Sequence, residues 1–283
     1  MNNKPTIVFF GTDSFSVTVL NELKAKDFAP DLIITVPDRP KGRKLILTPS
    51  EAKVWAKEND IPTMEPEVLD EEFVNKLKEK EWDLFITASY GKIIPQSVLD
   101  IPTKGPLNVH PSLLPLYRGA SPIESAMLDD MKETGVTIML MDAKMDHGSI
   151  LNQEVVEFDE WPKKKEVEDN LAKLGGQLLC QTIPLWINGD IEEQEQDHEM
   201  ATFTKKIKKE DGLIDLDGNT KESYLKIKAL NPWPGTFYFV KKGDKEIRVK
   251  ITDASFIKGK FKILKVIPEG KKEMDFDVFE KGL

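Results

Sequence analysis

Apolar residues along the first half of the chain fall into short unbroken runs. "TIVFF" (6–10), "DLIITV" (31–36), "WDLFITAS" (82–89), "GPLNVH" (105–110) and "GVTIMLMD" (135–142) have the length and content of buried strands. Helical patterns stand between them. Residues 15–26 form one, with Asp13 or Ser14 able to cap it. "PSEAKVWAKEND" (49–60) starts on a proline, and "DEEFVNKLKEKE" (70–81) and "SPIESAMLDDM" (121–131) follow. A long helix over about 164–187 closes the series. This rhythm predicts an α/β fold: a doubly wound, mostly parallel sheet with helices on both faces.

The pattern then changes. Residues 188–210 are polar and charged with little apolar periodicity, so a linker is expected over 189–205. After a short helix near 220–229, "TFYFV", "EIRVKITDASF" and "FKILKVI" alternate with period two around the turns "KKGD" and "KGK". Two domains are expected: residues 1–188, and a small β domain over 206–283. "NPWPG" (231–235), with two prolines and a tryptophan beside Gly235, suits a rigid junction before the first of those strands.

Composition changes this picture little. The 283 residues are 40% hydrophobic and 31% charged, which excludes disordered and collagen-like classes and exceeds the usual size of one core. No apolar run approaches the ~20 residues of a membrane span. The apolar run in "MNNKPTIVFFG" is too short for a signal peptide. Cys180 is the single cysteine, so a cytoplasmic protein without disulfides is expected.

Charge is informative. The net charge is −9, yet residues 201–283 hold 19 Lys and Arg against 13 Asp and Glu, a net +6, while residues 1–200 carry −15. Either the second domain meets a polyanion, or its lysines serve only solubility.

The candidate chemistry is found largely by elimination. "FFGTDSF" has one glycine where a dinucleotide fingerprint needs three, and no Walker lysine follows. His110, His147 and His198 are the only histidines, so no multi-histidine metal site is expected. No Gly-x-Ser-x-Gly elbow occurs. What remains is polar residues at strand ends, where open α/β sheets bind ligands. Asn108 and His110, two apart at the end of one strand, point to one face. Asp146 follows the next strand in "DAKMDHG", where Gly148 allows a tight turn. An amide and an imidazole can stabilise a developing oxyanion, and a carboxylate beside them can orient the imidazole and help move a proton. With no serine or cysteine nucleophile in the set, the nucleophile belongs to the substrate, as with an amine receiving an acyl group. Structural readings of each residue stay open at this point: His147 as a turn residue, and His198 as solvated in the acidic linker.

"LNVHPSLLPLYRG" (107–119) followed by "ETGVTIMLMDAKMDHGSIL" (133–151) resembles the folate-dependent formyltransferases. "PDRPKGRK" (37–44), "ASYGKIIP" (88–95), "ATFTKKIKKEDGLIDL" (201–216) and "LNPWPGTF" (230–237) resemble the branch that acts on initiator methionyl-tRNA. The resemblance implies that Asn108, His110 and Asp146 are the catalytic residues. Asn108 and His110 would stabilise the oxyanion, and Asp146 would orient His110. It implies 10-formyltetrahydrofolate as formyl donor, with no metal, held by Ser89, Tyr90, Gly91, Ile93, Ser112, Leu113, Leu114, Pro115 and Asp142. It implies initiator methionyl-tRNA as partner, met by Arg39, Lys41, Arg43 and Lys44 in an insertion loop and by Lys205, Lys206, Lys208 and Lys209. The tail would be an OB-like barrel that grips tRNA. The enzyme would act as a monomer, without a membrane. Arg118 would either line the mouth of the site or brace its loop. The alternatives are an amino sugar or water as acceptor, or a noncatalytic tRNA- or folate-binding module.

Overall fold

The computed structural model describes residues 4–42, 45–218, 220–243 and 245–283. In chain order the first stretch holds β1 (Ile7–Gly11), α1 (Ser14–Ala25), β2 (Leu32–Ile34), β3 (Arg39–Lys41), β4 (Ile46–Thr48), α2 (Glu51–Glu58) and β5 (Thr63–Met64). α3 (Glu71–Leu77), β6 (Leu84–Ala88), α4 (Gln96–Leu99), β7 (Pro106–His110), β8 (Arg118–Gly119) and α5 (Pro122–Leu128) follow. Then come β9 (Glu133–Leu140), β10 (Ile150–Glu157), α6 (Lys164–Asn188), β11 (Phe203–Thr204) and α7 (Thr220–Leu230). The tail holds β12 (Thr236–Lys242), β13 (Lys245–Ile257), β14 (Lys260–Pro268), β15 (Met274–Asp275) and α8 (Phe276–Glu280).

The chain divides into two compact units. One comprises Met1–Arg118, Thr134–Val156 and Glu168–Phe203, and the other Gly119–Glu133, Glu157–Val167 and Thr204–Leu283. The second unit therefore takes α5 from the middle of the α/β stretch, a sharing that local periodicity cannot show.

The first unit is built on a seven-stranded sheet in the order β10-β9-β7-β6-β1-β2-β5. β1 pairs in parallel with β2 and β6, and β6 with β7; β9 runs antiparallel to β7. The sheet is thus mostly parallel, as the strand-helix rhythm predicts. Every residue of β1 and β6 is buried, which matches their continuous apolar runs. β10 carries no apolar signature in the sequence: "ILNQEVVE" is mixed in polarity and half exposed, and it holds its place as the edge strand beside β9.

Local chemistry sets the helix ends. Asp13 caps α1 by accepting from the backbone N–H groups of Phe15 and Ser16. α2 begins at Glu51, two residues after Pro49, because Ser50 Oγ accepts from Lys53 N at 3.0 Å and takes the cap. α3 stops at Leu77, short of the predicted 81. The Trp82 indole N–H bonds the Leu77 carbonyl at 2.8 Å and turns the chain into β6. A Cβ at Gly175 in α6 would stand 2.6 Å from Val109 Cγ1, so glycine there lets the helix lie close over β7. Cys180, on the same helix, is a buried free thiol pushed up to about 11 by burial and by Glu22.

The second unit contains the antiparallel sheet β12-β13-β14-β15, with a register shift in β13 between Ile251 and Ala254. Tyr224 and Ile227 of α7 pack with Tyr238, Val249, Ile251, Ile263, Val266 and Phe279. The Tyr224 hydroxyl donates to Glu160 at 2.6 Å, and burial raises its pKa further than the hydrogen bond does. In "NPWPG" the Asn231 side chain ties Thr236 N and the Ile251 carbonyl, whereas Trp233 is half exposed. Among the described residues no helix is long and apolar enough to cross a membrane.

Candidate active site

The first unit reverses strand order between β1 and β6: β2 and β5 lie on one side of β1, and β6 and β7 on the other. Ligands in such sheets bind beyond the carboxyl ends of the strands at that reversal. The loop after β6 stands there. Ser89 is left-handed (φ 51°), and its hydroxyl bonds Asp13 Oδ2 at 2.5 Å; Thr12 Oγ1 donates to the Tyr90 carbonyl at 2.9 Å. Gly91 has φ 77°, and Ile93 is 86% exposed. The Tyr90 ring instead belongs to the core, edge-on to Phe10. Its phenol is pushed up to about 12 by burial, so only its backbone is available to a ligand.

β7 carries Asn108 opposite Thr87 and Met139, and ends at His110, which is 4% exposed. His110 Nε2 lies 3.1 Å from the Tyr117 carbonyl. A carbonyl only accepts, so Nε2 carries the hydrogen, and the ring meets the site through Nδ1. Asp146 Oδ1 stands 3.7 Å from that Nδ1, just beyond hydrogen-bond reach. The structure thus brings the two residues together across 36 positions. The ring is oriented first by the Tyr117 carbonyl, and Asp146 faces the other ring nitrogen.

The loop after His110 is fixed from within. Ser112 Oγ donates to the Leu116 carbonyl at 2.7 Å, and Thr137 Oγ1 donates to the Ser112 carbonyl at 2.7 Å. Gln153 Nε2 donates to the Leu114 carbonyl at 2.8 Å, and the Leu114–Pro115 bond is cis. Ser112 and Leu114 have buried side chains, while Leu113 and Pro115 are partly exposed and can meet a ligand.

Asp146 lies in the tight turn between β9 and β10, closed by Leu140 N to the Ser149 carbonyl at 2.8 Å. It adopts φ 49°, a left-handed conformation that aspartate tolerates better than most residues. A Cβ at Gly148 would sit 2.1 Å from the Leu140 carbonyl oxygen, so only glycine lets the turn close. Asp142 accepts from Lys144 N at 2.9 Å and from His147 Nδ1 at 2.7 Å.

Residues 189–203, within the stretch expected as a linker, contribute to this turn. Gln194 bridges Ile150 in both directions at 2.8 Å. Gln196 is 4% exposed and donates to the carbonyls of Asp146 (3.0 Å) and Gly148 (2.7 Å). Arg118, 3% exposed, donates to Gln196 Oε1 and to His198 Nδ1, so it braces the loop and does not line the mouth. His198 is accordingly not a freely solvated side chain: it stacks on His147 with centroids 4.0 Å apart. A cavity of about 320 Å³ opens beside this pair, lined by Asp142, Gly148, Ser149, Glu193 and Glu195 as well. Sequence reasoning missed Gln196, and the one available signal was a glutamine in a run too polar to look buried. Among the described residues no His, Cys, Asp or Glu group is arranged to hold a metal.

The residues expected to meet tRNA are unevenly placed. Arg39 is exposed and paired with Glu67 at 2.6 Å. Arg43, Lys44 and the side chain of Lys41 lie outside the described residues. Lys205, Lys206, Lys208 and Lys209 are all exposed.

Residues 4–183 match the formyl transferase family and 206–262 the formyl transferase C-terminal domain. The methionyl-tRNA formyltransferase of Bacillus thuringiensis subsp. konkukian is 37% identical over 98% of this chain and 95% of its own length. That of Chloroflexus aurantiacus is 42% identical over 82% and 76%. The methionyl-tRNA formyltransferase from Clostridium thermocellum shares the fold, with a TM-score of 0.60, 17% identity and coverage of 96% and 99%. So does the N-formyltransferase from Helicobacter canadensis, solved with folinic acid and dTDP-3-aminofucose, at a TM-score of 0.65, 19% identity and coverage of 89% and 87%. The chain belongs to the formyl transferase family, in the branch whose curated members are methionyl-tRNA formyltransferases.

Proposed function

We propose that this chain transfers a formyl group from 10-formyltetrahydrofolate to the α-amino group of initiator methionyl-tRNA, in support of translation initiation. The observation that supports the reading is His110 Nδ1 facing Asp146 Oδ1 at 3.7 Å at the carboxyl end of β7, with Asn108 two residues before His110 on the same strand. In that arrangement the acceptor amine attacks the formyl carbon, and negative charge grows on the formyl oxygen. The Asn108 amide donates to that oxygen. The His110 ring, with Nε2–H held by Tyr117, has Nδ1 free either to accept the amine's proton or, once protonated, to donate to the oxygen. Asp146 faces that nitrogen. The intermediate then collapses: the bond between the formyl carbon and folate N10 breaks, and the proton taken from the amine passes to the departing N10. The formyl carbon is already an activated electrophile, so the step calls on no metal.

The donor is assigned to the loop Ser89–Ile93, to Leu113 and Pro115, and to the Asp142 turn, largely through backbone groups. Residues 206–283 are assigned to tRNA, together with the hairpin β3–β4 and the lysines of 205–209. A transfer assay tests the reading. Labelled formyl from 10-formyltetrahydrofolate is offered to charged initiator tRNA, to a nucleotide-linked amino sugar, or to water. Label should enter methionyl-tRNA at least about tenfold faster than either alternative acceptor. Preferential labelling of the sugar, or bare hydrolysis, would overturn it.

A further inference from the structure

We infer that Gln196 is a positioning residue for formyl transfer, fixing the backbone of the turn that carries Asp146; this rests on the reading of Asp146 given above. A side-chain amide has two hydrogens, and Gln196 places both on carbonyls of the same turn: Asp146 at 3.0 Å and Gly148 at 2.7 Å. The first is the carbonyl of the left-handed residue itself (φ 49°) and the second lies two residues on, so one amide holds both the peptide leaving Asp146 and the end of its turn. Fixing the Asp146 peptide fixes where its carboxylate points, and that carboxylate faces His110.

The other end of the amide is equally committed. Gln196 Oε1 accepts from Arg118 Nε at 3.1 Å and from Nη2 at 2.6 Å. A guanidinium polarises the amide it binds and strengthens the two N–H donors beyond it. Arg118 is in turn held by His198 Nδ1 at 2.9 Å and lies over the Phe203 ring. Because arginine only donates, the His198 hydrogen must be on Nε2. Backbone bridges between Gln194 and Ile150 bring the whole segment to the edge of the same hairpin. Arg118 is buried, so losing this acceptor also costs stability, and that cost is separate from any effect on turnover.

The test uses Gln196→Glu, which keeps the acceptor for Arg118 and loses both donors, and Gln196→Met, which loses all three bonds at similar volume. Each is made in the wild type and in Asp146→Ala, with turnover corrected for folded fraction by thermal melting. In the wild-type background kcat should fall about 10- to 100-fold, with KM for methionyl-tRNA within about twofold, since misplacement by ~1 Å costs on that order. In Asp146→Ala the same substitutions should cost less than about twofold, because the group they position is gone. A role in folding alone would lower both backgrounds equally, and that result overturns the inference. Wild-type kcat in either folded Gln196 variant, with Asp146→Ala impaired, overturns the positioning role and leaves the proposed function standing. Full turnover in Asp146→Ala overturns both.

Discussion

At the scale of single residues, the site depends on which groups are already satisfied by the protein. His110 Nε2 is committed to the Tyr117 carbonyl, and Arg118 to Gln196 and His198. Asn108 differs: it is partly buried in the middle of β7, and among the described residues no protein group takes its amide. An amide in that position is available to a substrate oxygen. Asn108→Ala should therefore lower turnover by on the order of 10²–10³, the usual cost of one oxyanion donor. Its melting temperature should stay within a few degrees of wild type, since no internal hydrogen bond is lost. Steady-state kinetics beside a thermal melt decide it, and near-native turnover in folded protein would remove Asn108 from the chemistry.

At the scale of elements, the turn between β9 and β10 depends on Gly148, whose Cβ position is already occupied by the Leu140 carbonyl. Gly148→Ala must push the two apart, so it should destabilise by about 2 kcal/mol or more. Turnover should fall further than the loss of folded protein explains, because Asp146 moves with the turn. A melting curve and a kcat measured on the same sample separate the two effects. An unchanged melting temperature would mean that the turn opens without cost. This turn also marks the limit of what the sequence discloses. The strands of the central sheet are legible because burial on both faces writes an unbroken apolar run, as in "IVFF" and "LFIT". Asn108, His110 and Asp146 can be picked out as candidates, but their spacing alone leaves structural readings open, and the resemblance of the surrounding motifs is what singles them out. The support behind them is not legible. β10 is exposed and mixed in polarity, α5 joins a unit centred far along the chain, and Gln196 is buried inside a polar run. Each of these is decided by pairing between distant segments, which leaves no periodic trace.

At the scale of the whole molecule, the uneven charge gives a measurable expectation. Residues 1–200 carry −15 and residues 201–283 carry +6, so a polyanion is repelled by most of the chain and attracted by its last part. The exposed lysines do not all have equal standing in this. Arg39 already spends its charge on Glu67 in a solvent-screened pair. Lys205, Lys206, Lys208 and Lys209 are exposed, with no side-chain ion pair among the described residues, and they stand just before the C-terminal family domain begins or at its start. If they neutralise tRNA phosphates, each contact releases condensed counterions, and log affinity falls with log salt by about 0.9 per duplex contact. Replacing all four by glutamine should then flatten that slope by about two or more, and should weaken tRNA binding most at low salt. Folate affinity should be unchanged, because the donor is assigned to loops of the first unit. Titrating wild type and variant with initiator tRNA from low to high salt reads both effects at once. Coincident slopes would assign these four lysines to solubility and leave the grip on tRNA to the rest of residues 206–283.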